Sequence, residues 1–186
     1  MSVAVGVRLG SLLPEHREAL EAIVRATQVF AEDEVAVALE LFDATFGKWR
    51  MENGKWARTG THSPFSISDS PEYEFIGAFD GDELIGYACF GETPSTENTF
   101  DLYWIAVHPS AQRTGAGGAL MEEVERVLAE RRARLLVVET SSRADYAPTR
   151  RFYEKRGYAL AAQLRDFYNS GDDRVVLTKH LTAALS

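Results

Sequence analysis

Hydrophobic and polar positions alternate from the start of the chain. Val3, Val5, Val7 and Leu9 share one face of an extended segment, so the sequence opens on a strand. Pro14 suits the first turn of a helix, and Leu20, Ile23, Val24 and Thr27 follow at helical spacing. A second helix gathers Val35, Leu39, Phe42 and Phe46 on one face. The periodicity then lapses. Residues 47–72 hold Gly54, Gly60, Pro64 and Pro71 among small polar residues, which predicts a long loop. Trp49, Trp56 and Phe65 within it either pack the loop on itself or close over a ligand.

Alternation resumes at Tyr73–Phe79 and Leu84–Phe90, a hairpin about Asp80-Gly81-Asp82. Phe100–Val107 is a further strand, rich in aromatic and β-branched residues. After Pro109, a glycine-rich turn opens a helix that points Leu120, Val124, Val127 and Leu128 inward. Leu135–Thr140 is apolar on both faces, as in a central strand. Thr149–Arg156 forms a short helix stopped by Gly157. Two last strands, near Leu160–Tyr168 and Arg174–Leu181, flank the turn Ser170-Gly171-Asp172-Asp173. The order β-α-α-β-β-β-α-β-α-β-β describes one α/β domain over residues 1–186. Its mixed central sheet is flanked by helices, and 47–72 is a loop insertion.

Composition narrows the partners. Apolar residues make up 45% of the 186, and the formal net charge is -8. The densest basic run is Arg131, Arg132 and Arg134, which argues against nucleic acid as a partner. No apolar run approaches the roughly 20 residues needed to span a bilayer, and Met1–Leu13 lacks the layout of a signal peptide. Cys89 is the single cysteine and forms no intrachain disulfide, which fits a reducing, cytoplasmic setting. It sits mid-strand with no adjacent histidine, so it reads as a small buried hydrophobe and not a nucleophile. His16, His62, His108 and His180 show no metal-ligand spacing, so no metal is expected.

The segment Ile105-Ala106-Val107-His108-Pro109-Ser110-Ala111-Gln112-Arg113-Thr114-Gly115-Ala116-Gly117-Gly118 carries the chemistry. A strand ends, a short loop turns, and a helix begins at glycines. The first N–H groups of a helix lack intrahelical partners and carry partial positive charge, which suits phosphate oxygens. Gly115 and Gly117 place no side chain in the way, and Arg113 adds a cation. No Lys-Ser/Thr pair follows, so this is not a P-loop, and the three-glycine dinucleotide fingerprint is incomplete. Close helix packing alone is the plain structural alternative.

Gln112-Arg113-Thr114-Gly115-Ala116-Gly117 resembles the Gln/Arg-x-x-Gly-x-Gly/Ala signature of the GNAT superfamily of N-acetyltransferases, and Val107-His108-Pro109 has the form common before it. Arg151-Phe152-Tyr153-Glu154-Lys155-Arg156-Gly157-Tyr158, about forty residues on, resembles the superfamily's second motif. The resemblance runs from about Tyr87 to Leu181 and fades before Tyr73. It implies a GNAT-like fold and acetyl-CoA as acyl donor. The backbone N–H groups from Gln112 through Thr114, Gly115, Ala116, Gly117 and Gly118, beside Arg113, would hold the pyrophosphate. The strand segment Ile105, Ala106 and Val107 would line the pantetheine arm, and the Val107 N–H would meet the thioester oxygen.

Acetyl transfer needs a neutral amine, whereas a free alkylamine titrates near about 10.4, so a base and an acid are both expected. By resemblance Tyr153 approaches the CoA sulfur as general acid; otherwise it is a core aromatic with a hydrogen-bonded hydroxyl. Strand alternation puts Asp101, Tyr103, Ile105 and Val107 on one face. Some superfamily members carry a catalytic carboxylate matching Asp101, and Glu139 is the second candidate base. Either is equally readable as a strand-end carboxylate in solvent or in a salt bridge. Tyr146 stands where the superfamily often has Asn on the pantetheine, and Thr149 where Ala is frequent. Tyr146 is therefore a cofactor or substrate contact or plain packing.

The acceptor is expected to be a small-molecule amine, with a protein amine as the alternative. The acidic, aromatic tip Asp166–Asp173 either attracts a cationic amine or is a solvated turn. A homodimer is implied by resemblance only. A catalytically silent acyl-CoA sensor on the same fold and a regulatory domain for another phosphate ligand are the competing readings.

Overall fold

The computed structural model describes residues 6–46, 49–52, 55–58 and 73–181. In chain order the elements are β1 (Arg8–Ser11), α1 (Arg17–Ala26), α2 (Glu32–Phe46), β2 (Trp49–Glu52), β3 (Lys55–Arg58), β4 (Glu74–Asp80), β5 (Glu83–Glu92), β6 (Thr99–Val107), α3 (Ala116–Glu130), β7 (Leu135–Ser141), α4 (Ala147–Glu154), β8 (Ala159–Asn169) and β9 (Asp172–His180). Seven strands form one mixed sheet in the order β1-β4-β5-β6-β7-β9-β8, and helices flank it. The α/β class stands, and so does the expected element order apart from the added pair β2 and β3. Among the described residues no helix is long and apolar enough to cross a membrane.

The loop expected over 47–72 is corrected in part. β2 and β3 pair antiparallel, with Met51 opposite Trp56 and Glu52 opposite Lys55. Trp49 and Trp56 therefore belong to strands. Asn53-Gly54 between them, a sequence pair that favours hairpins, lies outside the described residues. The glycines and prolines that follow masked this signal. Phe65 and the remainder of 59–72 lie outside the described residues, as do Val3 and Val5; the first strand begins at Arg8.

The chain divides into two compact units. The first holds residues 1–90 and 104–124. Its core is built by α1 and α2 against the sheet: Leu20, Ile23 and Val24 from α1, Val35, Ala38 and Phe42 from α2, and Phe79, Leu84, Tyr87 and Ala106 from strands are buried. Phe42 sits 4.4 Å from Phe46 and 5.6 Å from Phe75 between ring centroids. Leu39 packs at the margin, half-buried, because Ala38 takes the central position of that helix face. The Arg17–Asp43 pair at 2.7 Å links α1 to α2 but is exposed and adds little.

The second unit holds residues 91–103 and 125–186. Here β6 and β7 run parallel from Thr99–Leu135 to Leu102–Val138, β7 pairs antiparallel with β9, and β9 with β8. Leu136, Val138 and Leu177 are buried. Val127, expected inward, is only half-buried, because the buried stripe of α3 runs Leu120, Met121, Val124 and Leu128. Gly171, at φ +81°, closes the β8–β9 hairpin, and Gly157, at φ +84°, ends the turn after α4. β8 is exposed along its whole length, and its edge position explains why its alternation buries nothing.

Phe42→Ala is expected to lower unfolding free energy by roughly 3–5 kcal/mol, since the side chain is 1% exposed and touched by aromatic rings. Urea denaturation followed by circular dichroism checks this; a loss below about 1 kcal/mol would mean that the α2 face is not packed as described.

Candidate active site

In the first unit, the site begins where β6 ends. The His108 N–H donates to the Ile85 carbonyl at 2.8 Å, which ties the end of β6 to β5. His108 then caps the short 3-10 turn Pro109–Ala111: its Nδ1 accepts the Ser110 N–H at 3.3 Å and lies 2.7 Å from the Ser110 hydroxyl. The Thr114 hydroxyl donates to the Ala111 carbonyl at 2.7 Å and holds the next bend. Arg113 adopts φ +68° and Gly115 φ +96°. Positive φ at a residue with a side chain is strained and gathers at functional loops; no residue pattern around Arg113 signals it.

α3 starts at Ala116, and its Ala119 N–H is the first paired, to the Gly115 carbonyl at 2.9 Å. The preceding N–H groups therefore end the helix with donors and positive partial charge. α2 meets this demand with Glu32, Asp33 and Glu34 in its first turn, whereas α3 has no acidic residue in its own. The uncompensated end, faced by glycine, suits an external anion. The Gln112 and Thr114 N–H groups donate to the Pro109 and Ala111 carbonyls, each at 3.3 Å, so the turn uses them itself. The anion donors narrow to Arg113 and the stretch Gly115–Gly118.

β6 presents Ile105 and Val107 half-buried, with Ala106 between them turned into the core. Cys89 is fully buried, and burial pushes its thiol well above the ordinary range, as expected for a packing residue and not a nucleophile.

The second unit carries the titratable candidates. Tyr153, on α4, is 3% exposed, and burial pushes its hydroxyl well above the ordinary tyrosine range. It stays protonated at neutral pH and so has a proton to give. Its ring meets Phe152 at 5.3 Å and Tyr158 at 5.5 Å, both edge-on. Tyr158 donates to Glu125 Oε1 at 3.0 Å, and Lys179 donates to Glu125 Oε2 at 2.6 Å. Burial first, then the neighbouring Glu125, raises the Tyr158 hydroxyl in turn. This buttress beside Tyr153 was not read from the sequence, because its members lie 33 and 54 residues apart.

Asp101 is half-buried, and its Oδ2 accepts the Thr93 hydroxyl at 2.7 Å. Glu139 is exposed and ion-paired with Arg174. Tyr146 ends a 3-10 turn just before α4, 5.3 Å beneath the Arg143 guanidinium. The acids of the last hairpin are bound by neighbouring groups. Asp172 accepts the Ser141 hydroxyl, Asp173 accepts the Asp166 N–H at 2.9 Å and the Gln163 amide, and Asp166 accepts the Gly171 N–H at 2.6 Å. The Asp166 N–H and the Gln163 amide hold Asp173 below the usual carboxylate range.

Comparison with known proteins shows the family. The family model described as the acetyltransferase (GNAT) family matches residues 36–158. A crystal structure of a GNAT-family protein from Desulfovibrio desulfuricans is 36% identical, covers 95% of this chain and 100% of that one, and superposes with a TM-score of 0.79. The uncharacterized N-acetyltransferase YsnE of Bacillus subtilis (strain 168) is 27% identical over 111 residues, 60% of this chain and 72% of YsnE. The PaiA N-acetyltransferase of Thermoplasma acidophilum, solved in complex with coenzyme A, shares the fold at 16% identity over 94% of this chain and 99% of that one, with a TM-score of 0.64.

Gly115→Ala is expected to cost about 1–3 kcal/mol, because a Cβ is strained at φ +96° although nothing lies within 4 Å of it. Thermal unfolding of the variant tests this. An unchanged melting temperature would mean the turn adopts another backbone path.

Proposed function

The chain belongs to the GNAT family of acetyltransferases, and from that premise we propose that it moves the acetyl group of acetyl-CoA onto the amine of a small molecule by direct attack. The observation that carries this reading is the start of α3, a helix end with glycines and no acidic residue in its first turn. Phosphate oxygens of the donor bind there through the Gly115–Gly118 N–H groups, with Arg113 adding charge. The arm of the donor follows Ile105, Ala106 and Val107 along β6.

The family resemblance supplies the roles. The amine nitrogen attacks the thioester carbonyl, and the Val107 N–H stabilises the oxyanion that forms. The carbon–sulfur bond then breaks, and the Tyr153 hydroxyl gives its proton to the departing sulfur. A phenol kept neutral by burial performs this step as negative charge grows on sulfur. The proton lost by the amine goes to a carboxylate, directly or through water. Asp101 suits that task better than Glu139: Asp101 is bound by a neutral hydroxyl, while protonating Glu139 would break its pair with Arg174.

The test combines binding with turnover. Acetyl-CoA should raise the melting temperature where ATP and NAD do not, since only a native-state ligand stabilises the fold. Tyr153→Phe should then lower kcat by roughly 100-fold with CoA affinity kept, the scale of a lost general acid. Equal turnover in variant and parent removes Tyr153 from this role. Binding without turnover over a broad amine panel would point to a silent acyl-CoA binder, and no stabilisation by any CoA would overturn the reading.

A further inference from the structure

Strands of a sheet normally tolerate alanine, so a glycine inside one calls for a reason. Gly86 lies within β5 and is buried. Its backbone is not in the left-handed region, so conformational freedom is not the reason. Space is. A Cβ at position 86 would lie 2.9 Å from the Ala106 carbonyl oxygen, 3.1 Å from Val107 Cγ2 and 3.3 Å from Val107 Cα. Two of these atoms are backbone and cannot turn aside.

The neighbours leave one way to relieve such a clash. On its other edge, β5 is paired to β4, with Gly86 opposite Ala78, which is fully buried. One residue before Gly86, the Ile85 carbonyl holds the His108 N–H at 2.8 Å. The end of β6 runs five residues beyond Leu102, its last partner in the ladder with β7 among the described residues. A side chain at 86 therefore moves Ala106 and Val107, not β5.

We propose that Gly86 is a positioning residue: its missing side chain lets β5 hold the end of β6 so that the Val107 N–H points at the thioester oxygen. This rests on the acetyl-transfer reading above. Displacing an oxyanion donor by tenths of an ångström weakens it in the transition state while leaving the phosphate site, on a different element, in place.

The experiment is steady-state kinetics on Gly86→Ala, with CoA affinity measured separately by calorimetry. The expected result is a kcat loss on the order of 10-fold or more, with CoA affinity and the KM for the amine within about threefold. The double variant Gly86→Ala/Val107→Ala removes the Cγ2 contact but keeps the carbonyl contact, so its kcat should stay low. Unchanged kcat in Gly86→Ala overturns the proposal, as does recovery in the double variant, which would make side-chain crowding the cause. Parallel loss of kcat and CoA affinity also overturns it, since it marks a merely structural glycine. If Gly86→Ala does not fold, the parent protein decides by NMR. The Val107 amide proton should shift downfield with acetyl-CoA relative to free CoA, and identical shifts would overturn the assignment. Absence of turnover in the parent protein would instead strike the proposed function itself.

Discussion

At the end of β6, the His108 N–H donates to the Ile85 carbonyl of β5, and the two backbones approach closely at Gly86. The chain then turns toward α3. His108 caps the turn that follows, the turn bends through Arg113 and Gly115 at positive φ, and α3 starts at Ala116 with bare donors. The apolar packing of α1 and α2 reaches β6 at Ala106. The strained residue, the glycines and the missing first-turn acid are costs to folding that make sense at an anion site.

The second unit solves a different problem, which is to bury a phenol without ionising it. Tyr153 is enclosed by Phe152 and Tyr158, and burial keeps its hydroxyl protonated. Tyr158 is in turn fixed by Glu125, whose second oxygen takes Lys179. The Tyr158 hydroxyl and both Glu125 oxygens have partners, and a satisfied buried network is rigid where a half-satisfied one is costly. The carboxylates nearby divide by use. Glu139, Asp172 and Asp173 are bound into the structure, while Asp101 accepts the neutral Thr93 hydroxyl.

Much of this was legible in the sequence, for identifiable reasons. The hairpins at Gly81 and Gly171 carry turn chemistry that only a few residue types supply, and both fell where expected. The face of α2 followed from Val35, Phe42 and Phe46 at helical spacing. Gly115 was marked because glycine before a helix has a physical purpose. What escaped the sequence depends on long-range contact. β2 and β3 were hidden by the glycines and prolines that follow Asn53-Gly54. The strain at Arg113, the ion pair between Glu139 and Arg174, and the Tyr158–Glu125–Lys179 buttress leave no periodic trace. Gly86 looked like any strand glycine until its distance to Ala106 was known.

Hydrogen–deuterium exchange with and without saturating acetyl-CoA tests most directly where the donor sits. The account predicts slowed exchange at Ile105–Val107 and at Arg113–Gly118, with no change along the exposed strand Ala159–Asn169. Exchange that is unaltered across 105–118 while acetyl-CoA is bound would contradict it and place the donor elsewhere on the fold.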